Sequence, residues 1–371
     1  MIDFPDHTFA MFFRVPEDYK ISIEINREYS GEFFIDYGDG ECGNSQSHGY
    51  EHFYINYNIG DFVLVRVIGN LGGVDIGNNL VEVANLGDVG WKSFYNSFTS
   101  SGLVNFYSGH TKTDAVKDYG GMFSGTSNLR ELNTNTVNFS NITNMTDMFS
   151  GTSMAALDLR RINTSKVTSM LGLFNNAKYL NYVDGINSWD TSNVVYMDNL
   201  FSLTNFYDLD LSNWNTENVT SMSYMFSGMK NLAKLNVSNF NTSNVTNFSF
   251  MFDSSGKYNL DYEEYYEGVG EGPSRYNLDL SSFSNASANT IEHMFHSSTF
   301  NIVDLSGFEY YKPLHDPYYV DKLIRKFCPG PNKIIIGSSD LAEYLNIFDL
   351  YYDDAVSGNI GTGCNINNLV Y

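Results

Sequence analysis

The chain has 371 residues and a formal charge of −22, which opposes binding to nucleic acid, whose phosphate backbone needs a Lys/Arg footprint, and opposes docking on anionic lipid. No stretch approaches the ~20 apolar residues of a membrane span, and three scattered cysteines (Cys42, Cys328, Cys364) build no disulfide framework, a Cys328–Cys364 bridge alone staying open. Charged residues make up only 17% and aromatics 16%, so Asn, Ser, Thr, Gly and Tyr must cover the surface, a palette suited to extracellular, virion or adaptable binding faces.

The N-terminus offers one short apolar run, Phe9 to Phe13, flanked by Asp6 and Glu17. It is too short and too acidic for a classical signal peptide. Ile21, Ile23 and Ile25 alternate as a strand, Phe33 to Ile35 leads into the tight turn Asp36-Tyr37-Gly38-Asp39-Gly40, and Phe62 to Val67 reads as another strand. Asp36 to Gly40, followed by His48 and Tyr50, resembles the Asp-x-Gly-Asp-Gly and His-x-Tyr hallmark of PKD-type modules. That resemblance implies an all-β sandwich over residues 1–79. His48-Gly49-Tyr50-Glu51-His52 also matches H-x-x-E-H, but zinc chemistry needs both histidines on one helical face, and Gly49 and the strand-like surroundings deny it. Asp36, Asp39 and Glu41 lack the further oxygen ligands of a calcium loop and read as a polar hairpin turn.

Residues 80–308 carry a repeat anchored on Phe98, Phe123, Phe149, Phe174, Phe201, Phe226, Phe252 and Phe295. The steps are 25, 26, 25, 27, 25, 26 and 43 residues, a period that means a stack of repeating units. In the copy from Leu209 to Gly228, Leu209 and Leu211 flank Asp210 as a short strand. Val219, Met222, Met225 and Phe226 fall on one helical face, with Thr216 as N-cap and Gly228 as C-terminal signal. The expected fold is therefore an α/β repeat solenoid, with one short strand and one short helix per repeat. A column of Val137, Ile162, Trp189, Trp214, Phe240 and Phe283 supplies its core, and Asn163-Thr164-Ser165 and Asn241-Thr242-Ser243 fit Asx turns at the corners. The pattern Trp/Phe-Asn-Thr-Ser-Asn-Val-Thr-x-Met-x-x-Met-Phe-x-Gly, followed by Leu-Asp-Leu-Ser, resembles the BspA-type leucine-rich repeats of bacterial surface proteins, including mycoplasma lipoproteins. The resemblance implies a leucine-rich-repeat-like solenoid, adhesion or binding at a surface, and no catalytic residues to carry over.

The 43-residue step leaves an insertion over residues 257–275. Its Tyr258, Tyr262, Glu263, Glu264, Tyr265, Tyr266 and Glu267 are the candidate ligand-binding residues, because repeat insertions become loops on one face. Clustered tyrosines stack on sugars or anchor a protein partner, and the carboxylates accept hydrogen bonds or pair with a basic patch. Adjacent glutamates on one loop make a poor glycosidase pair. His293 and His296 stand three apart with no third ligand and read as exposed or capping residues. Residues 309–371 read as a C-terminal cap with helices over 318–327 and 341–348 and a strand over 333–336.

No catalytic constellation, metal site or cofactor is expected. The expected function is a non-enzymatic binding or adhesion protein, recognising a host or cell-surface protein or glycan at a cell or extracellular surface. The alternative is a virion structural or receptor-binding protein, such as a phage fibre tip or capsid decoration, assembled with other virion proteins.

Overall fold

A computed structural model of the chain describes residues 5–25, 28, 30–45, 51–76, 78–99, 102–256, 276–296, 298, 300, 302–308, 333–336 and 369–370. The chain divides into two units, residues 1–185 and 186–371.

The first unit begins with strands β1 (Thr8–Arg14), β2 (Lys20–Ile25), β3 (Phe33–Asp36), β4 (Cys42–Asn44), β5 (Glu51–Phe53), β6 (Phe62–Gly69), β7 (Val74–Ile76) and β8 (Leu80–Asn85). Period-2 alternation buries Ile21, Ile23 and Ile25 of β2 and Val63, Val65 and Val67 of β6. Repeat strands follow: β9 (Asn105–Tyr107), β10 (Glu131–Asn133), β11 (Ala156–Asp158) and β12 (Tyr182–Asp184). One sheet runs β10-β9-β8-β1-β6-β3-β4 and a second β5-β2-β7, with β11 paired to β12. β8 is the junction: it pairs antiparallel with β1 and parallel with β9. The N-terminal sheet thus covers the open edge of the first repeat strand, and Phe9 packs edge-on against Trp91 (5.2 Å) and Phe98 (6.2 Å).

The second unit holds β13 (Asp208–Asp210) paired in parallel with β14 (Lys234–Asn236). It also holds a parallel sheet of β15 (Asn277–Asp279), β16 (Ile302–Leu305), β17 (Lys333–Ile336) and β18 (Leu369–Val370). The expected strand over 333–336 is β17. The expected helices over 318–327 and 341–348 lie outside the described residues.

The helix expected in each repeat is absent, and the fold is a β-solenoid instead of an α/β solenoid. Among the described residues the one helical element is the single 3-10 turn Ile186–Ser188. Where helices were expected, amides alternate between two destinations. Those of Met222, Tyr224, Phe226 and Gly228 donate to the carbonyls of Asn247, Ser249, Met251 and Asp253 in the next coil, at 2.7–3.0 Å. Those of Met225 and Ser227 donate three residues back, to Met222 and Tyr224. The residue two before each anchor phenylalanine has positive φ in all eight copies: Asn96, Gly121, Asp147, Gly172, Asn199, Tyr224, Phe250 and His293. A left-handed residue interrupts any right-handed helix. Overlapping turns with left-handed breaks place the side chains three, then four, residues apart on the inside, so the apolar spacing mimics a helix. Val219, Met222, Met225 and Phe226 are all buried.

Like positions stack. In the first unit Phe98, Phe123, Phe149 and Phe174 form a ladder with centroids 5.6–6.2 Å apart. In the second, Phe201, Phe226, Phe252 and Phe295 do so at 5.2–5.8 Å. Trp189 stacks on Trp214 and Phe240 on Phe283, and Val137 and Ile162 are buried at the same position in the first unit. Thr216, expected as an N-cap, is a staple between coils: its hydroxyl donates to the Asn241 carbonyl at 2.9 Å, as Thr191 does to Asn215 and Thr242 to Ser284. The corners are Asx turns, with the Ser165 and Ser243 amides donating to the side-chain oxygens of Asn163 and Asn241.

Gly172 separates the two readings of the repeat. In a helix, Gly172→Ala would stabilise by roughly 0.5–1 kcal/mol. Here φ is +60° and an added Cβ would stand 2.1 Å from Asp147 Oδ1. The substitution should instead destabilise by about 1–2 kcal/mol in urea unfolding, and far-UV circular dichroism should show a β-type spectrum without the helical double minimum.

Candidate binding face

The candidate loop residues Tyr258, Tyr262, Glu263, Glu264, Tyr265, Tyr266 and Glu267 lie outside the described residues. The chain on either side is fixed. The Gly256 amide donates to the Met229 carbonyl (3.2 Å), and the Tyr276 hydroxyl donates to the Leu235 carbonyl (2.6 Å) while accepting from the Leu235 amide (3.0 Å). The coil ladder crosses the 43-residue step undisturbed: the Phe252 amide reaches the Met294 carbonyl at 2.8 Å.

The described residues add a second face in the same unit. At the left-handed position the earlier copies carry Asn, Gly, Asp, Gly and Asn, residues that tolerate positive φ. The last three copies carry Tyr224 (φ 56°), Phe250 (φ 57°) and His293 (φ 55°). Their rings form a partly exposed stack. Tyr224 lies 4.7 Å from Phe250 at 5°, and Phe250 lies 4.9 Å from His293 at 18°. His296 meets His293 edge-on at 5.3 Å and holds Asp253 at 2.6 Å between Nδ1 and Oδ1. Glu292 Oε1 stands 3.7 Å from His293 Nε2. Partial burial and then the carboxylates of Asp253 and Glu292 push the Tyr224 hydroxyl up from its ordinary value. The face is thus an aromatic strip with an acidic border. Its signal was present in the sequence at a constant offset of two before the anchor phenylalanine. Reading that offset as part of a helix hid its conformational cost.

The first unit carries two other chemistry-bearing clusters. In the turn after β3, Asp36 accepts from the Gly38 amide (2.8 Å) and pairs with Arg66 (2.5 Å). Asp39 Oδ2 lies 2.6 Å from His52 Nε2, and the His52 ring stacks on Tyr37 at 4.1 Å. The buried Tyr54 hydroxyl donates to the Tyr37 carbonyl at 2.8 Å, its own pKa raised chiefly by burial. The His-x-Tyr pair that meets the turn is therefore His52 and Tyr54, while the expected His48 and Tyr50 lie outside the described residues. Glu51 points to the opposite face of β5 from His52 and pairs with Lys20 at 2.5 Å, so these two residues of the H-x-x-E-H match share no face. Separately, Glu24 and Asp75 oppose each other across β2 and β7 in a groove of about 240 Å³ that Ser93, Tyr95 and Asn96 help to line. Burial, then the Glu24 charge, raises the Asp75 carboxyl. Among the described residues no group of three or more His, Cys, Asp or Glu side chains could hold a metal ion, and no helix is long and apolar enough to cross a membrane. Cys42 is exposed and free.

Residues 92–183 and 180–308 each match the family described as "Mycoplasma protein of unknown function, DUF285". The chain belongs to this family. No curated protein and no solved structure matches it. The second DUF285 stretch contains Tyr224, Phe250 and His293, and the first contains only Asn, Gly and Asp at the same position, so the aromatic strip distinguishes one DUF285 stretch from the other.

Asp39 sets an acid limit on the N-terminal sheets. Burial works to raise its carboxyl, but the His52 hydrogen bond and the Glu41 amide outweigh it and hold the group below its ordinary value. A carboxyl depressed in the folded state stabilises above its unfolded pKa of about 3.9, and that contribution fades as pH falls through the folded value. Asp39→Asn should cost about 1.5–3 kcal/mol at pH 7 and flatten the loss of stability below about pH 4, measured by urea unfolding across pH.

Proposed function

We propose that this chain is a non-enzymatic, surface-exposed binding protein that recognises a protein or glycan through side chains displayed on a β-solenoid. The observation that carries the proposal is the Tyr224–Phe250–His293 stack. A non-glycine residue in the left-handed region costs roughly 1–2 kcal/mol. A stacked aromatic pair returns only about 0.5–1.5 kcal/mol beyond its buried area. Exchanging Asn for an aromatic here therefore sets backbone strain against what the stacking contributes. Strained backbone kept at one fixed position is characteristic of a site, and large aromatics held rigid and partly exposed are the side chains that anchor interfaces.

Two further features support the proposal. The repeat motif resembles BspA-type surface repeats, here built from stacked turns. The Asp36–Gly40 turn with His52 and Tyr54 supports a PKD-like N-terminal module. The tyrosine- and glutamate-rich stretch 257–275 follows Phe250 in the sequence, beginning directly after Gly256, whose amide donates to the Met229 carbonyl.

The test replaces Tyr224, Phe250 and His293 together by Asn, the residue found at the equivalent Asn96 and Asn199. Unfolding free energy should stay within about 2 kcal/mol of the parent, while binding to hits from a glycan array and a displayed-peptide library should fall at least about tenfold. Ligands held equally well by the triple variant would remove the stack from the binding site, and turnover of any hit would overturn the non-enzymatic assignment.

A further inference from the structure

Resting on that reading, we infer that the Tyr224–Phe250–His293 strip takes a protein partner that presents an apolar side chain between Lys or Arg residues, and does not take a glycan.

The closed faces of the central ring, Phe250, argue against sugar. A pyranose stacks on an open aromatic face. Here Phe250 is sandwiched, with Tyr224 at 4.7 Å on one side and His293 at 4.9 Å on the other. Phe250, the centre of the strip, can offer a ligand chiefly its edge, along with the Tyr224 hydroxyl beside it. An edge-on strip of rigid rings is an apolar surface for aliphatic or aromatic side chains, which pack edge-to-face without needing an open face. The strip is also fixed from below. The Tyr224 and Phe250 amides are tied to the Ser249 and Glu292 carbonyls of the next coil, so little main-chain freedom is left to lose on binding.

The border decides the charge of the partner. Glu292 lies beside His293, Asp253 is held by His296, and Asp198 stands one position before the left-handed residue of its own coil, where it accepts from the hydroxyls of Ser221 and Ser223. The titratable groups on this face are therefore Asp198, Tyr224, Asp253, Glu292, His293 and His296. Among the described residues no Lys or Arg forms an ion pair with these carboxylates. With a net charge of −22 on the chain, the approach favours a basic partner. An apolar centre inside a charged border is the ordinary anatomy of a protein–protein interface.

Random 12-residue peptides displayed on phage, selected against the immobilised full chain, test the inference, with a glycan array run in parallel. Enriched peptides should carry Leu, Phe or Trp next to Arg or Lys. Their affinity should fall at least about tenfold for the triple Asn variant. It should fall about threefold for Glu292→Gln, with a shallower salt dependence, as expected for a border charge. Strip-dependent peptides without basic residues, or peptides indifferent to Glu292→Gln and to salt, would overturn the charge assignment. Glycan hits abolished by the triple variant, with no strip-dependent peptide, would overturn the protein partner while leaving the binding role intact. Ligands in neither arm, or only ligands that the triple variant retains, would overturn both.

Discussion

Within each unit, stacked coils satisfy their main chain partly within themselves and partly through the coil that follows. Over the turn segments that hold Phe98, Phe123, Phe149, Phe201, Phe226 and Phe252, alternate amides reach across to the next coil and the intervening ones close three residues back. That division is possible only if the chain changes hand at set points; one is the position two before the anchor phenylalanine, and another lies two after it, at Gly125, Gly151, Asn176, Leu203, Gly228 and Ser254. Buried amides left unpaired would cost several kcal/mol per coil, so the left-handed residue, the stacked phenylalanines and the repeat period are linked. Changing the length of the turn segment would misalign the amides with the carbonyls of the neighbouring coil.

The same constraint explains where the chain tolerates change. The 43-residue step adds its residues after the turn segment and before β15, and the bonds from Phe248, Phe250, Phe252 and Ser254 to the next coil retain their ordinary lengths. Insertions outside the ladder cost mainly loop-closure entropy, which grows slowly with length. Side chains pointing outward from the ladder are spaced by it. This turns Tyr224, Phe250 and His293 into a stack with a step close to the separation of neighbouring strands.

The sequence made the period, the anchors and the buried columns legible because burial depends on spacing, and spacing survives whichever backbone delivers it. Trp189, Trp214, Phe240 and Phe283 are core as expected. It misled on the backbone because three-and-four spacing arises both from a helix and from overlapping turns broken by left-handed residues. Asn96, Gly121, Asp147, Gly172 and Asn199 at one fixed offset were the discriminating residues, since all three types favour positive φ and none favours a helix interior. Tyr224, Phe250 and His293 obscured that column by breaking its chemistry at the place where it carries a different role. Two His-x-Tyr pairs share the segment, His48/Tyr50 and His52/Tyr54, and spacing alone does not show that His52 meets Asp39 while Tyr54 meets the Tyr37 carbonyl.

A parallel stack exposes unpaired strand edges, and such edges recruit other chains unless they are covered. In the first unit β8 does the covering. It accepts the repeat strand β9 on one side and turns the other side to β1, converting a parallel edge into the interior of a mixed sheet. In the second unit β17 and β18 continue the sheet beyond the last repeat strand, β16, so the family motif ends before the sheet does. A repeat motif read alone would therefore misplace both limits of the folded sheets: strands outside the repeat extend them, and the acidic surface adds self-repulsion against further growth.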